Sequence, residues 1–290
     1  MKNKTVSLVL GSGGARGLAH IGAIHYLEEN GYKIESISGC SMGALIGGIY
    51  ATGKLDIFEK WVRELTRVDI LTLLDLSWSS SGLVKGDKII ATLVDLIGDV
   101  QIEDLPMKFT AVAADVKSEK EVWLNSGSLF DAIRASISLP MFFTPYTIDN
   151  IELIDGGTLN PVPIAPTFLD NTDMSIAINL GARSERKVPN LEKEIIKKPL
   201  RLNKDVSRLL DFIKESVAPS RSKNWSAYEV ANQAFDAMQN TIARQKLAAY
   251  PPDVLVDILR DACGTLEFDR ANEIIALGYT KMKEQLDSDI

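Results

Sequence analysis

An α/β protein is predicted, a three-layer sandwich with a largely parallel central sheet. Three observations predict it. Short runs rich in β-branched residues alternate with stretches of helical periodicity, which implies parallel strands covered on both faces. The first two strand-like runs each stop abruptly at a glycine, Gly11 and Gly39, before a helical pattern begins. A chain of 290 residues that is 46% hydrophobic and 24% charged has an ordinary globular composition, enough for one large domain or a core domain with an appendage.

Thr5 to Leu10 is apolar and β-branched, and it runs into Gly11-Ser12-Gly13-Gly14-Ala15-Arg16-Gly17. Leu18, Ile21, Ile24 and Leu27 then share a helical face that stops at Asn30-Gly31. Ile34 and Ile37 mark a second buried strand, and Met42 to Ala51 a buried helix. Between them stands Gly39-Cys40-Ser41-Met42-Gly43, a G-x-S-x-G pattern. A serine on a sharp strand-to-helix turn projects its hydroxyl out of the sheet, and its neighbours must be tiny because the two backbones approach closely. The helix N-terminus adds partial positive charge beside the hydroxyl. Cys40 is expected to pack inside this turn.

Asp56 to Arg67 reads as a helix with an Asp56-x-x-Glu59 capping box, Asp69 to Leu83 as a loop with an apolar side that borders a site or folds over the core, and Asp87 to Ile97 as a helix capped by Asp87. Lys108 to Val116 and Lys120 to Leu124 read as strands and Ser128 to Ser136 as a helix. Ile151 to Ile154 is a further strand that delivers Asp155-Gly156-Gly157. An acid at the C-terminal end of a strand lies on the side of an open α/β sheet where ligands bind; the alternative is a structural aspartate in a turn. Asp173 to Asn179 is another strand, and from Gly181 to Asn224 the chain becomes more basic and less apolar. Ser226-x-x-Glu229 opens a long helix with Ala231, Phe235, Met238 and Ile242 on one face, and Pro251-Pro252 ends it. Asp253 to Ile258 is a late strand and Phe268 to Leu286 a closing helix.

Several function classes are excluded. A net charge of −7 without a long basic tract argues against nucleic acid as a partner. Cys40 and Cys263 form no disulfide framework, and two cysteines with two histidines are too few for a zinc cluster. The N-terminus lacks a signal-peptide core and no run approaches a bilayer span, so a soluble, cytoplasmic protein is expected. A dinucleotide fingerprint starting at Gly11 would need glycine where Arg16 stands, and Glu35, the ribose-binding acid it would require, sits just before the serine turn. The same physics serves another anion: adjacent glycines at a helix N-terminus aim free N–H groups at an oxyanion. His20 and His25 both precede Ser41, which excludes the chain order of the α/β-hydrolases, and they read as packing or surface residues. Asp155 is the remaining candidate base.

Glycine loop, G-x-S-x-G serine and D-G-G aspartate together resemble the patatin-like phospholipase family, which works with a Ser-Asp dyad. Arg134 to Pro140, Phe143-Thr144-Pro145 and Asn160-Pro161-Val162-Pro163 are also similar to its compact bacterial members. The resemblance implies a patatin-like fold in which residues 5–166 form the catalytic core. Residues 167–290 would form a C-terminal part with a helical insertion at about 181–250 and a closing strand and helix. It implies that Ser41 attacks an ester carbonyl, that Asp155 accepts the proton, and that the amides of Gly13, Gly14 and Met42 hold the oxyanion. Arg16, Gly17, Gly39, Gly43, Gly156 and Gly157 complete the motifs, with no metal or cofactor required and a lipid or other ester as substrate. Ser12 departs from the unbroken glycine string of many members. Arg16 either steadies the loop or attracts a lipid phosphate. A useful Asp155 must be desolvated enough to sit above the usual value of about 3.9. Acyl transfer with the same residues, or a regulatory protein on the same fold, are the alternatives. Lys187, Lys193, Lys197, Lys198, Arg201 and Lys204, followed by Leu209, Leu210, Phe212 and Ile213, form either a peripheral contact with an anionic lipid surface or a solvated connector. No feature of the sequence sets an oligomeric state.

Overall fold

The computed structural model describes residues 4–74, 84–183 and 227–288. They contain one eight-stranded sheet. Its strands are β1 (Thr5–Leu10), β2 (Lys33–Cys40), β3 (Lys108–Asp115), β4 (Lys120–Leu124), β5 (Tyr146–Ile148), β6 (Ile151–Asp155), β7 (Met174–Ala182) and β8 (Val254–Leu259). Hydrogen-bonded neighbours run β5-β6-β3-β2-β1-β7-β8, with β4 paired to β3 off that path. β3, β2, β1, β7 and β8 are mutually parallel, while β4, β5 and β6 add an antiparallel corner. The largely parallel three-layer sheet read from the alternation is therefore present.

The layers follow from side-chain alternation along β1. Val6, Leu8 and Leu10 join the principal core, whereas Val9 points the other way and packs with Val162, Ile164, Ala177 and Ala243. On the principal face lie α1 (Ala19–Glu29), α2 (Met42–Ala51), α3 (Leu55–Glu64), α5 (Asp87–Ile97), α6 (Leu129–Ser136) and α8 (Ala271–Ser288). α4 (Arg67–Leu73) borders them, and α7 (Ala227–Ala249) lies across the opposite face through Ala243. Lys246 on α7 pairs with Glu121 on β4 at 2.6 Å, and Asn160 reaches the same carboxylate at 2.9 Å, which ties α7 to the sheet.

Several local expectations are corrected. α3 is capped at Lys54, not by an Asp56 capping box: Asp56 lies inside the first turn, and Glu59 is drawn to His25 at 2.5 Å and Arg63 at 2.6 Å. Residues 69–73 of the expected loop are helical, part of Arg67–Leu73, because Thr66 and Asp69 form the reciprocal capping box themselves. α5 starts after Gly86, whose φ of 76° turns the chain into the helix, and Asp87 is its first residue, not its cap. β5 was not foreseen, being three residues behind Pro145 with no room for a pattern. On α7 Met238 is 56% exposed, while Ala243 is buried against the sheet. Asp236 and Gln239 line a cavity, so part of the inner face of α7 is polar. Ser226, the basic residues from Lys187 to Lys204 and the apolar run from Leu209 to Ile213 lie outside the described residues, as do residues 75–83 of the expected loop.

Candidate active site

Ser41 occupies the single residue between β2 and α2, with φ 55° and ψ −123°. Positive φ is uncommon for any residue with a Cβ and is held only when its surroundings dictate it. The surroundings here are close backbones: a Cβ on Gly39 would lie 2.4 Å from the Gly43 carbonyl oxygen, and one on Gly43 would lie 2.0 Å from that of Leu10. The turn is clamped from the side as well. Ser136 at the end of α6 accepts the Ser41 N–H at 2.9 Å and donates its hydroxyl to the Val112 carbonyl at 2.7 Å. Leu45 N–H bonds to the Ser41 carbonyl, so α2 begins with the serine at its N-terminus.

Asp155 reaches this point by an unexpected route. β6 is antiparallel to β3, so the reason offered by its position at a strand end, alignment with the C-termini of parallel strands, is corrected. Ala111 and Val112 of β3 pair with β2 and β4 at once, and Ala113 to Asp115 pair with β4 and β6. β2 and β6 therefore meet end to end on one edge of β3. Cys40 lies opposite Val112 and Asp155 opposite Ala113, which brings the residue after Cys40 beside the acid.

The Asp155 carboxyl is fully buried, and burial raises it from 3.8 to about 6 against the opposing pull of Ser41, Gly157 and Cys40. Oδ1 accepts the Gly157 N–H at 2.7 Å and lies 3.8 Å from the Cys40 sulfur, whose thiol burial keeps protonated. Oδ2 is buried without a hydrogen bond of normal geometry. Ser41 nonetheless lies close enough to pull the carboxyl down against the effect of burial.

The glycine loop hangs over the same place. The Gly11, Ser12 and Ala15 N–H groups are bonded to the carbonyls of Ile178, Pro161 and Thr265, while those of Gly13, Gly14 and Met42 take no part in any loop or turn bond among the described residues. Gly14 has φ 57°, and a Cβ on Gly17 would lie 2.4 Å from Met42 Cβ, so the loop is laid directly on the first residue of α2. Free N–H groups fixed around a hydroxyl are the donors that a developing oxyanion takes up. His20 is fully buried, and its Nε2 donates to the Gly11 carbonyl at 2.9 Å. Burial pushes this ring down to about 4, so it is neutral and props the loop, in keeping with a packing role. His25 is half-buried and bound to Glu59. Arg16 donates Nη1 to the carbonyls of Arg260 at 3.3 Å and Cys263 at 3.2 Å, tying the loop to the C-terminal segment.

A cavity of about 150 Å³ opens beside Ser41. Much of its lining is apolar, with Leu45, Phe58, Trp61, Leu73, Phe143 and Phe268, and Ile70 and Leu74 from the stretch after Asp69 line it as well. The rest of the lining includes Ser12, Gly13, Gly14, Arg16, Asp236, Gln239 and Thr265. Ser136, Asp236, Gln239 and Thr265 were not singled out from the sequence. Ser136 lay within a stretch noted for its resemblance alone, and the other three sit on elements whose patterns speak of helix or turn, not of chemistry.

An open α/β sheet that lifts a strained serine over an apolar cavity is an arrangement that serine ester hydrolases use. The patatin-like phospholipase description matches residues 8–168, and the chain belongs to that family. It is 38% identical to an uncharacterised NTE-family protein of Mycobacterium tuberculosis, over 98% of this chain and 91% of that one. Lysophospholipase NTE1 of Pyricularia oryzae is 29% identical over 95% of this chain, which corresponds to 18% of that much longer protein. The solved structure of VipD from Legionella pneumophila is similar with a TM-score of 0.45 at 14% identity, covering 99% of this chain and 67% of that one. Among the described residues no helix is long and apolar enough to cross a membrane.

Proposed function

We propose that this protein hydrolyses the acyl ester of monoacyl phospholipids, with Ser41 as nucleophile and Asp155 as its base. Ser41 Oγ attacks the ester carbonyl carbon as its proton passes to Asp155 Oδ2. The oxyanion of the tetrahedral intermediate takes the N–H groups of Gly13, Gly14 and Met42. Collapse breaks the bond to the alcohol oxygen, which leaves with the proton from Asp155. Water then attacks the acyl-serine, giving its proton to Asp155, and collapse of this second intermediate returns that proton to Ser41 Oγ as the fatty acid leaves. The observation that carries this reading is the buried Asp155 carboxyl, raised to about 6 with Oδ2 unoccupied beside a serine on a strained turn. A base placed there is ionised at neutral pH and still basic enough to accept a proton. The apolar end of the cavity supports an acyl chain as the bound group, and the lysophospholipase name of the fungal relative supports a monoacyl lipid.

A fluorophosphonate probe, with fatty-acid release from monoacyl and diacyl phospholipids, tests the reading. Wild-type protein is expected to be labelled and to release fatty acid, and Ser41→Ala to do neither while keeping its fold. Activity in Ser41→Ala, or a loss in His25→Ala as deep as in Asp155→Asn, would contradict it.

A further inference from the structure

The polar part of the cavity lining holds a hydrogen-bonding group without a partner. Gln239 Nε2 on α7 is buried with no hydrogen bond, and Gln239 lines the cavity together with Ser41. Its position is fixed by Gly157: the point where a Cβ on that glycine would sit is 2.6 Å from Gln239 Nε2, 2.8 Å from Ser12 Oγ and 3.0 Å from Asp155 Oδ1. The amide thus stands beside the reacting groups. Leaving a buried amide unpaired is unfavourable, and such a group in a site is satisfied when a ligand arrives. Asp236 lies three residues earlier, so the two side chains share one face of α7, and Asp236 lines the same cavity. Arg16 and Arg260 reach the Asp236 carboxyl as charges, not as hydrogen-bond partners.

We propose that Gln239 and Asp236 form a specificity site for a free hydroxyl on the alcohol side of the ester, the group a monoacyl glycerolipid carries and a diacyl one lacks. A hydroxyl is both donor and acceptor, so it takes the Gln239 N–H on its oxygen and gives its own proton to Asp236. An ester in place of the hydroxyl has no proton for Asp236. It also brings a second acyl chain against α7, which Lys246, Glu121 and the packing of Ala243 hold in place. A site built to bond a hydroxyl discriminates strongly against the analogue without it. This inference rests on the reading of the cavity as a lipid acyl hydrolase site, and its test is arranged to fail separately.

The test uses the full chain and ether analogues, which bind but cannot be hydrolysed: a monoalkyl glycerophospholipid, and the same lipid with its free hydroxyl replaced by hydrogen. Both are titrated calorimetrically below micelle-forming concentrations. Wild-type protein is expected to bind the hydroxyl lipid about 10- to 100-fold more tightly. Gln239→Leu should bring that ratio close to one, and Asp236→Asn should lower it. Equal binding of the two lipids by the wild type, or a ratio that survives Gln239→Leu, overturns the proposal. If Gln239→Leu does not fold, Gln239→Glu preserves the shape and removes the donors, and an unchanged ratio there is equally fatal. Failure of Ser41 to react with a fluorophosphonate would sink the hydrolase reading, while the binding ratios would still decide the hydroxyl site.

Discussion

Asp155→Asn is expected to stabilise the fold at neutral pH while removing turnover. Burial raises the native carboxyl from 3.8 to about 6, so the folded state holds a proton that the unfolded chain has released across that window. Stability from this group is fully present below about pH 4 and is lost as pH rises through about 6. The displacement amounts to about 3 kcal/mol at roughly 1.4 kcal/mol per pH unit. Asparagine keeps an oxygen for the Gly157 N–H, places its nitrogen where Oδ2 has no partner, and carries no charge to desolvate. His20 works in the opposite sense. Its ring is lowered from 6.5 to about 4, so its contribution is present above about pH 6.5 and lost as pH falls through about 4. The two nearly cancel in the wild-type profile, and the difference between wild type and variant isolates the acid. Urea unfolding followed by tryptophan fluorescence, at intervals from about pH 4 to 8 and constant ionic strength, reads that difference. The variant should be more stable by about 1 to 3 kcal/mol at pH 7 to 8, with the gain vanishing near pH 4, and its kcat should fall by about 100-fold to 10,000-fold. Parallel pH profiles for the two proteins would refute the reasoning, because an acid that is not raised by burial is a poor base at this position.

Three further substitutions probe the turn, and a fourth, at Gly53, serves as comparison. Ser41→Gly should abolish fluorophosphonate labelling and raise stability by about 1 kcal/mol, because glycine adopts a φ of 55° without strain; a drop in melting temperature would contradict a strained serine. Gly43→Ala should cost well over ~3 kcal/mol or prevent folding, since its Cβ would lie 2.0 Å from the Leu10 oxygen. Gly53→Ala, with nothing within 4 Å but a φ of 73°, should cost only about 1 kcal/mol, and similar losses in the two would mean the turn is loosely packed. Ser136→Ala leaves the Ser41 N–H and the Val112 carbonyl unpaired, at about 1 to 3 kcal/mol each, and should slow probe labelling of Ser41; unchanged labelling would remove Ser136 from the positioning of the turn.

Hydrophobic periodicity and glycine placement made most of the fold legible. Val6, Leu8 and Leu10 must bury one face wherever β1 sits, and Gly39 and Gly43 announce a close strand-to-helix turn because no larger residue fits. These are local constraints, carried by consecutive residues, and the sequence by itself determined the largely parallel character of the sheet, the serine turn and the glycine loop. It also named Ser41 and Asp155 as candidates. Helix starts were less legible, since Thr66 with Asp69 and Gly86 compete with equally plausible caps a few residues away. Only the tertiary structure decided how the acid meets the serine. β6 runs against β3 and abuts β2, which brings Asp155 beside a residue over a hundred positions earlier, a placement that no local pattern encodes. The same holds for Ser136 beneath the turn and for Gln239 and Asp236 above it. Their side chains are ordinary on a helix, and they gain chemical meaning only where packing removes water and leaves a polar group facing a cavity.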